Sequence, residues 1–443
     1  MRIWKTYKVY MVSIVLVLAL FCVCTNKLIV QYYSPIAMVK SDLPVEGAMT
    51  STSFRYTAQF NKTLSNKRYA RFQEMFRAQE STAMPGLACT DILGQNCADM
   101  VPQGICVAGE YMLISAYDHG NRDRAGRYRS VIYVLSNKKP QQRKYLTTIV
   151  LPDVNHVGGL AYDGRYVWVA KSTTKCCSAI DKRIIEKAVA SGQNSYELTA
   201  YTATVDCGMT ASFLTCYDNM LWVGDFVSRK NGVGSLVGFD ISGRGADLRL
   251  QKKEALAIPH YANGAQFVRY AGKNCLAVVT SYSRYADSKV NIYEVYKGHD
   301  NATKKRKVAD FAMPPMAEEL VSDGKLIYAI FESGATEYSA PKYERCNNLV
   351  DRICAFSVSD FFADVKEGVA IRRTSDSHVP DLVIQCEALC PRENDFTRFV
   401  EYQQLKSSSP KKAALLSIYK YPDFYFASYY KYFPPWIQLE RTG

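Results

Sequence analysis

The sequence predicts an all-β fold, a β-propeller of five blades preceded by an N-terminal transmembrane helix. Three observations carry that expectation. A pattern of apolar anchor, turn and second apolar run recurs at Ile105, Leu160, Leu214, Val268 and Leu320, with separations of 55, 54, 54 and 52 residues. Each anchor is followed by a turn signal: Gly109, Asp163–Gly164, Asp218–Asn219, Gly272–Lys273 or Asp323–Gly324. Between β-rich runs such pairs mark hairpins. Each hairpin is then followed by two more strand-like runs, and four antiparallel strands per even repeat is the pattern of propeller blades.

The elements follow in order. Residues 1–8 form a cytoplasmic tail carrying Arg2, Lys5 and Lys8 ahead of the apolar run of residues 9–24, VYMVSIVLVLALFCVC. Positive charge before such a run favours an uncleaved signal anchor, with everything after residue 24 outside the membrane; cleavage, giving a secreted protein, is the alternative. Residues 25–88 read as a stalk. It ends in a short helix over Lys67–Glu80, where Tyr69, Phe72 and Phe76 recur at helical spacing.

The propeller is expected over residues 89–375. Its inner hairpins use Tyr111–Ser115, Tyr166–Ala170, Met220–Gly224, Cys275–Val279 and Leu326–Ile330 as second strands. Third strands fall at Ser130–Ser136, Cys177–Asp181, Ser235–Ser242, Lys289–Tyr296 and Asp351–Val358. Fourth strands fall at Tyr145–Leu151, Tyr196–Thr204, Glu254–Ile258, Lys307–Met313 and Val369–Thr374. Helical insertions are expected at Lys182–Ala190 and Asp360–Val365. A sixth blade from Pro380–Glu401 or from the stalk is the alternative count. Residues 376–443 form an extension in which ten aromatic residues fall between Tyr419 and Trp436.

Composition narrows the function classes. The protein has 443 residues, is 48% hydrophobic and carries a formal charge of +13. That charge suits anionic partners, yet no nucleic-acid motif accompanies it, and nucleic acid is not an expected partner. Of fourteen cysteines, Cys22 and Cys24 lie in the apolar run, leaving an even twelve for an oxidising compartment. Cys89 with Cys97, Cys346 with Cys354 and Cys386 with Cys390 are the local disulfide candidates. No paired Cys-x-x-Cys knuckles, nucleophile elbow, Walker loop or dinucleotide fingerprint is present.

Candidate chemistry sits where the innermost strands begin and their neighbours end, at one mouth of the central channel. This places Gln103 with Asp118, His156 with Lys171, Ser212 with Asp225, Gln266 with Ser281, and Glu318 or Glu319 with Glu332. Convergent polar groups at a channel mouth are a ligand-site hypothesis. Asp118, Asp225 and Glu332 are candidate ligands for calcium, a hard cation that takes about six to eight oxygens. Glu318 or Glu319 is the candidate acid–base carboxyl. The favoured function is an extracytoplasmic module, tethered to the cell membrane, that binds an envelope glycan, peptide or protein through this mouth. A propeller lactonase, hydrolase or lyase, with or without calcium, is one alternative. An adhesion or envelope-assembly factor is another.

The passages PQGICVAGEYMLISAYD, SVIYVLS, YLTTIVLPDVNHVGGLAYDG and MPPMAEELVSDGKLIYAIFESGA resemble a group of secreted or membrane-anchored bacterial propeller proteins, over roughly Cys89–Val358. That resemblance implies the fold and brings no activity with it. Pro102–Gln103–Gly104–Ile105 is similar to the opening of blade one in plant-type glutaminyl cyclotransferases, which are also five-bladed. Where that family carries Glu-Gly-apolar in blade two, this sequence reads Gly158–Gly159–Leu160, without the acid.

Overall fold

The computed structural model describes residues 56–87, 92–93, 97, 99–120, 128–138, 143–298, 301–339, 345–365, 368–373, 386–387 and 437–441. Five sheets form the blades of a β-propeller. The first runs Met100–Ala108, Tyr111–Asp118, Val131–Ser136, Tyr145–Val150. The second runs Leu160–Tyr162, Tyr166–Lys171, Cys176–Asp181, Ala203–Asp206. The third comprises Phe213–Tyr217, Met220–Gly224, Val233–Ser242 and Arg249–Pro259, and the fourth Ala262–Tyr270, Lys273–Thr280, Ser288–Lys297 and Thr303–Met313. The fifth is built on Ala317–Ser322, Leu326–Phe331 and Arg352–Ser357.

Local chemistry explains why the hairpins close where they do. Asp218 and Asn219 both have left-handed backbone, as a two-residue hairpin turn of the primed kind requires. In blades two and five the turn aspartate organises its own hairpin. Asp163 accepts from the N–H groups of Arg165 and Tyr166 and from the indole of Trp168, each at 2.7 Å. Asp323 repeats this with Lys325, Leu326 and the Tyr328 hydroxyl at 2.9, 2.8 and 2.8 Å. Each turn thereby secures the polar tip of an aromatic ring whose body is buried in the sheet.

Three sequence expectations need correction. The fourth strand of the fifth blade is not Val369–Thr374. It is Thr82–Ala83, from before the first blade, pairing antiparallel with Arg352 and Ile353. Gly368–Arg373 instead pairs with Cys386–Glu387 and Ile437–Arg441 in a separate three-stranded sheet. The run expected at Tyr196–Thr204 is two strands. Ser195–Glu197 adds to the first sheet, parallel to Tyr145–Val150, and Ala203–Asp206 completes the second. The end of the expected stalk is also packed structure: Thr57–Leu64 is a helix, followed by short helical turns across Lys67–Met75.

The order of elements explains that packing. The closing strand must be delivered from one end of the sequence to the other, and the segment before it is anchored on the way. The Tyr56 N–H donates to Asp351 Oδ2 at 2.5 Å, and its hydroxyl bonds Ser339 at 2.7 Å. Phe72, fully buried, meets Phe331 and Phe356 of the fifth blade edge-on at 6.2 and 5.3 Å. Arg143 of the first-blade region donates to the Glu80 carbonyl at 3.1 Å and lies 4.5 Å over the Tyr328 ring.

The disulfide expected at Cys346–Cys354 is not made, since both thiols are free and buried. The Cys346 N–H donates to the Tyr338 carbonyl at 2.7 Å, which ties it to a helical turn, whereas Cys354 lies inside the sheet opposite Ala329. Burial pushes the Cys346 thiol up to about 12 and raises that of Cys354, so both behave as packing residues. Cys89 and Cys390 fall outside the described residues, as do the apolar run at 9–24 and the aromatic extension at 419–436. Among the described residues no helix is long and apolar enough to cross a membrane, and there is no sixth four-stranded sheet.

Two compact units are distinguished. The first falls within Met1–Gln266, Val278–Val290 and Asp310–Ser357 and contains the main apolar core and every residue of the channel mouth discussed below. The second falls within Phe267–Ala277, Asn291–Ala309 and Val358–Gly443. Within it, Glu294 receives Lys273 at 3.5 Å and Arg306 at 2.8 Å, and Lys305 lies 3.9 Å over the Tyr293 ring.

Replacing Phe72 by Ala is expected to cost about 3–5 kcal/mol, as for other buried Phe truncations, and to lower the denaturation midpoint of the whole first unit. An unchanged midpoint would show that the segment before the closing strand stands outside the cooperative fold.

Candidate functional site

The five innermost strands approach one another at one short segment each: Gly104–Ile105, Gly159–Leu160, Phe213–Leu214, Gly264–Ala265 and Glu319–Leu320. Glycine is needed at three of these because neighbouring backbone passes so close. A Cβ at Gly104 would sit 2.7 Å from Gly159 C and Leu160 N. At Gly159 it would sit 2.6 Å from Leu214 N, and at Gly264 2.5 Å from Glu318 O. Side chains two residues before each anchor begin at this crowded centre, which is how Gln103, Ser212, Asn263 and Glu318 come to share one cavity.

Glu319 ties the centre together. Its Oε2 accepts from the N–H of Ile105 at 2.6 Å and of Leu160 at 3.0 Å, and its Oε1 from Leu214 at 3.2 Å. One fully buried carboxyl therefore bonds the backbones of three other blades. Burial pushes its pKa well above the usual carboxylate range, and the three amides oppose that shift. Adjacent Glu318 faces the cavity. Strand register slips between Ala317 and Leu320, and again between Pro102 and Gly104, so irregularities sit beside Glu318 and Gln103 alike. Such bulges re-aim side chains at strand ends.

The cavity has a volume of about 490 Å³. Its floor is polar. Asn263 Nδ2 donates to Glu318 Oε1 at 2.9 Å, and Gln103 Nε2 donates to Glu332 Oε1 and to the Pro102 carbonyl. Burial, then the nearby charge of Glu332, raises the Glu318 carboxyl well above its ordinary range, with the Asn263 bond acting against both. Burial also lifts Glu332 to about 7, opposed by the Gln103 bond and by Arg284. Two carboxyls of one cavity thus hold protons that exposed glutamates release near pH 4 to 5. His156, Ser172, Thr173, Thr210, Ser212, Ser281 and Ser283 add polar walls.

The rim is aromatic. Phe226 and Tyr282 line the cavity and are 38% and 63% exposed. Tyr261 stands 4.4 Å from Tyr282 and 6.1 Å from Phe226, with His260 behind it at 4.5 Å. Backbone bonds fix the three segments: the Tyr261 N–H donates to Val227 O at 3.0 Å, and the Ser281 N–H to Tyr261 O at 2.9 Å.

Of the residues expected at the mouth, Gln103, His156, Ser212, Ser281, Glu318 and Glu332 are brought together. Four are not. Asp118 accepts from Gly120 and Tyr128 N–H at 3.2 and 2.5 Å, and Asp225 from Ser235 N–H at 2.6 Å, so both secure loops. Lys171 pairs with Asp153 and lies 4.9 Å over Tyr201. Gln266 is displaced because the fourth anchor is Ala265, three residues before Val268; the equivalent cavity residue is Asn263. The calcium set of Asp118, Asp225 and Glu332 is therefore not assembled, and no group of three or more metal-ligating side chains occurs among the described residues. Asn263 was legible in principle, since Asn263–Gly264–Ala265 parallels Gln103–Gly104–Ile105. The rim aromatics carry no such signal.

Replacing Glu319 by Gln puts an amide donor against backbone donors and is expected to destabilise the first unit by about 1–3 kcal/mol, the scale of a buried donor left unsatisfied. Denaturant titration checks this. For Glu332 the folded pKa is raised, so its protonation favours the native state most below pH 4.5 and that contribution is lost as pH rises through about 7. Glu332→Gln should flatten the fall in stability across that window.

No protein-family model and no curated protein sequence matches this sequence. Solved structures similar to it include Myxococcus xanthus glutaminyl cyclase, at 10% identity and TM-score 0.33, covering 59% of this chain and 93% of that one. Kuenenia stuttgartiensis hydrazine synthase is similar at 14% identity and TM-score 0.31, and this chain spans only 56% of its length, with 53% of its own residues. A putative 6-phosphogluconolactonase from Bacteroides fragilis aligns at 10% identity and TM-score 0.28, covering 53% of this chain and 76% of that one. No activity or residue role follows from likenesses at this level. The resemblance to a secreted bacterial group rests on the sequence passages alone.

Proposed function

We propose that the protein is a membrane-tethered, extracytoplasmic propeller that binds the polyhydroxylated end of an envelope glycan at its channel mouth. The observation that carries this reading is the pairing of floor and rim in one cavity. Amide, carboxyl and hydroxyl groups of Gln103, Asn263, Glu318, Glu332, Ser212 and Ser281 offer donors and acceptors side by side, which suits sugar hydroxyls. Phe226 and Tyr282 offer exposed ring faces above them, which suit the apolar face of a pyranose. Carboxyls held protonated donate as well as accept, whereas a cationic ligand would favour their ionised forms. The tether is supported by the basic residues ahead of the apolar run at 9–24.

A second reading, an acid–base enzyme of the lactonase, hydrolase or lyase kind, is favoured by one observation. The Glu332 carboxyl at about 7 lies in the same cavity as Glu318, and a group titrating near neutrality suits proton transfer.

Calorimetry of the full-length protein with chitotriose and with maltotriose distinguishes these readings. Saturable binding of either, weakened about tenfold or more, or about 1.4 kcal/mol, by Glu332→Gln or Tyr282→Ala in a folded variant, supports the binding module. Conversion of the saccharide with a pH profile turning near 7, abolished in Glu318→Gln with binding retained, supports the enzyme. Absence of saccharide binding, with choline or an arginine peptide bound instead, overturns the glycan reading.

A further inference from the structure

A second chemically distinctive place lies at the outer edge of blade two. Strand Ala203–Asp206 pairs antiparallel with Cys176–Asp181, placing Val205 opposite Cys177 and Asp206 opposite Cys176. The pairing continues one residue further, where the Cys207 N–H donates to the Lys175 carbonyl at 3.2 Å. Side chains alternate across a sheet, so Cys207 and Val205 share a face, and Cys177 opposite Val205 is on it too. The Cys177 and Cys207 side chains share the apolar cluster of Trp168, Leu221 and Phe239, and the Cys207 thiol meets the Lys175 and Met209 carbonyls at 3.1 and 3.2 Å. Cys176 turns the other way, and its thiol meets the Thr174 carbonyl at 3.2 Å.

We infer that Cys177 and Cys207 are a disulfide-forming pair, with Cys207 the attacking thiol and a small-molecule disulfide the oxidant. The Cys207 thiolate attacks one sulfur of the oxidant, forming a mixed disulfide and releasing one small thiol. Cys177 then gives up its proton and attacks the Cys207 sulfur, releasing the second. Two protein thiols are oxidised to one protein disulfide, and one small disulfide is reduced to two thiols.

The surroundings assign the order of attack. Cys207 stands at the end of an edge strand between exposed Asp206 and Gly208, and a Cβ at Gly208 would meet nothing within 4 Å. Cys177 is fully buried on the inner side. The neighbourhood of the two thiols acts in opposite senses on them. It lowers Cys207 to about 7, against the effect of burial, and with burial it raises Cys177. Cys207 is therefore the available thiolate at neutral pH, while Cys177 waits behind it to resolve the mixed disulfide. Gly208, at φ +67° and exposed, opens a turn directly after the pair.

The test uses the full-length protein, reduced, freed of reductant and exposed to oxidised glutathione, then alkylated and mapped without reduction. The expected product is a cross-linked peptide joining Cys177 to Cys207, formed at a rate that rises with pH through about 7. In Cys177→Ser a glutathione adduct should accumulate on Cys207, because nothing resolves it. In Cys207→Ser, Cys177 should remain a free thiol. Recovery of both cysteines alkylated in the wild-type protein overturns the inference, as does a bridge from either residue to Cys216. Because the wild-type map decides the matter, poor folding of a variant leaves the inference open to refutation.

Discussion

The first unit depends on a single buried carboxyl. A propeller of separate sheets has no continuous ladder across its centre, and the innermost strands bring backbone N–H groups together where water is excluded. Such groups must find acceptors. Glu319 supplies them for Ile105, Leu160 and Leu214, each from a different blade. The arrangement works only if the backbones come close enough for one side chain to reach all three. Gly104 and Gly159 make that approach feasible by carrying no Cβ.

The candidate site is a by-product of the same constraint. Crowding at the anchors forces the residues two places earlier to open outward, and local slips in register bring Gln103 and Glu318 to the cavity. Glu318 and Glu319 are neighbours in sequence with unlike partners. One bonds a single flexible amide, Asn263, at the cavity floor; the other is surrounded by rigid backbone donors. A carboxyl satisfied by fixed backbone is a structural tie. A carboxyl satisfied by another side chain can exchange that partner for a ligand at small cost, which is why Glu318 and Glu332 are the chemically available pair.

Closure follows from the order of elements as much as from packing. The fifth blade takes its outermost strand from Thr82–Ala83, so the two ends of the blade sequence are joined by hydrogen bonds. Tyr56, Phe72 and Arg143 hold the segment that delivers this strand. Opening at that seam would cost the aromatic contacts and the Arg143 bonds together, which makes the seam cooperative with the blades it joins.

Periodicity alone determined the five-bladed architecture, the hairpin turns and six of the ten expected mouth residues, because a repeated spacing survives whatever the side chains touch. The Lys182–Ala190 helix was equally legible: Ile185 and Ala188 are buried, and Asp181 caps its N-terminus with a bond to the Arg183 N–H at 3.0 Å. What depends on meetings between distant residues was not legible. The tripling of bonds on Glu319, the loop-securing roles of Asp118 and Asp225, the Phe226–Tyr261–Tyr282 rim and the thiol pair at Cys177 and Cys207 arise from strands that are separate in sequence. By pattern Val268 serves as the fourth anchor as well as Ala265 does, because both are apolar and strand-forming. Only the close approach of Gly264 to Glu318 fixes which residue stands at the centre. Pattern encodes which face of a strand is buried, but the identity of the group facing it is decided when the blades come together.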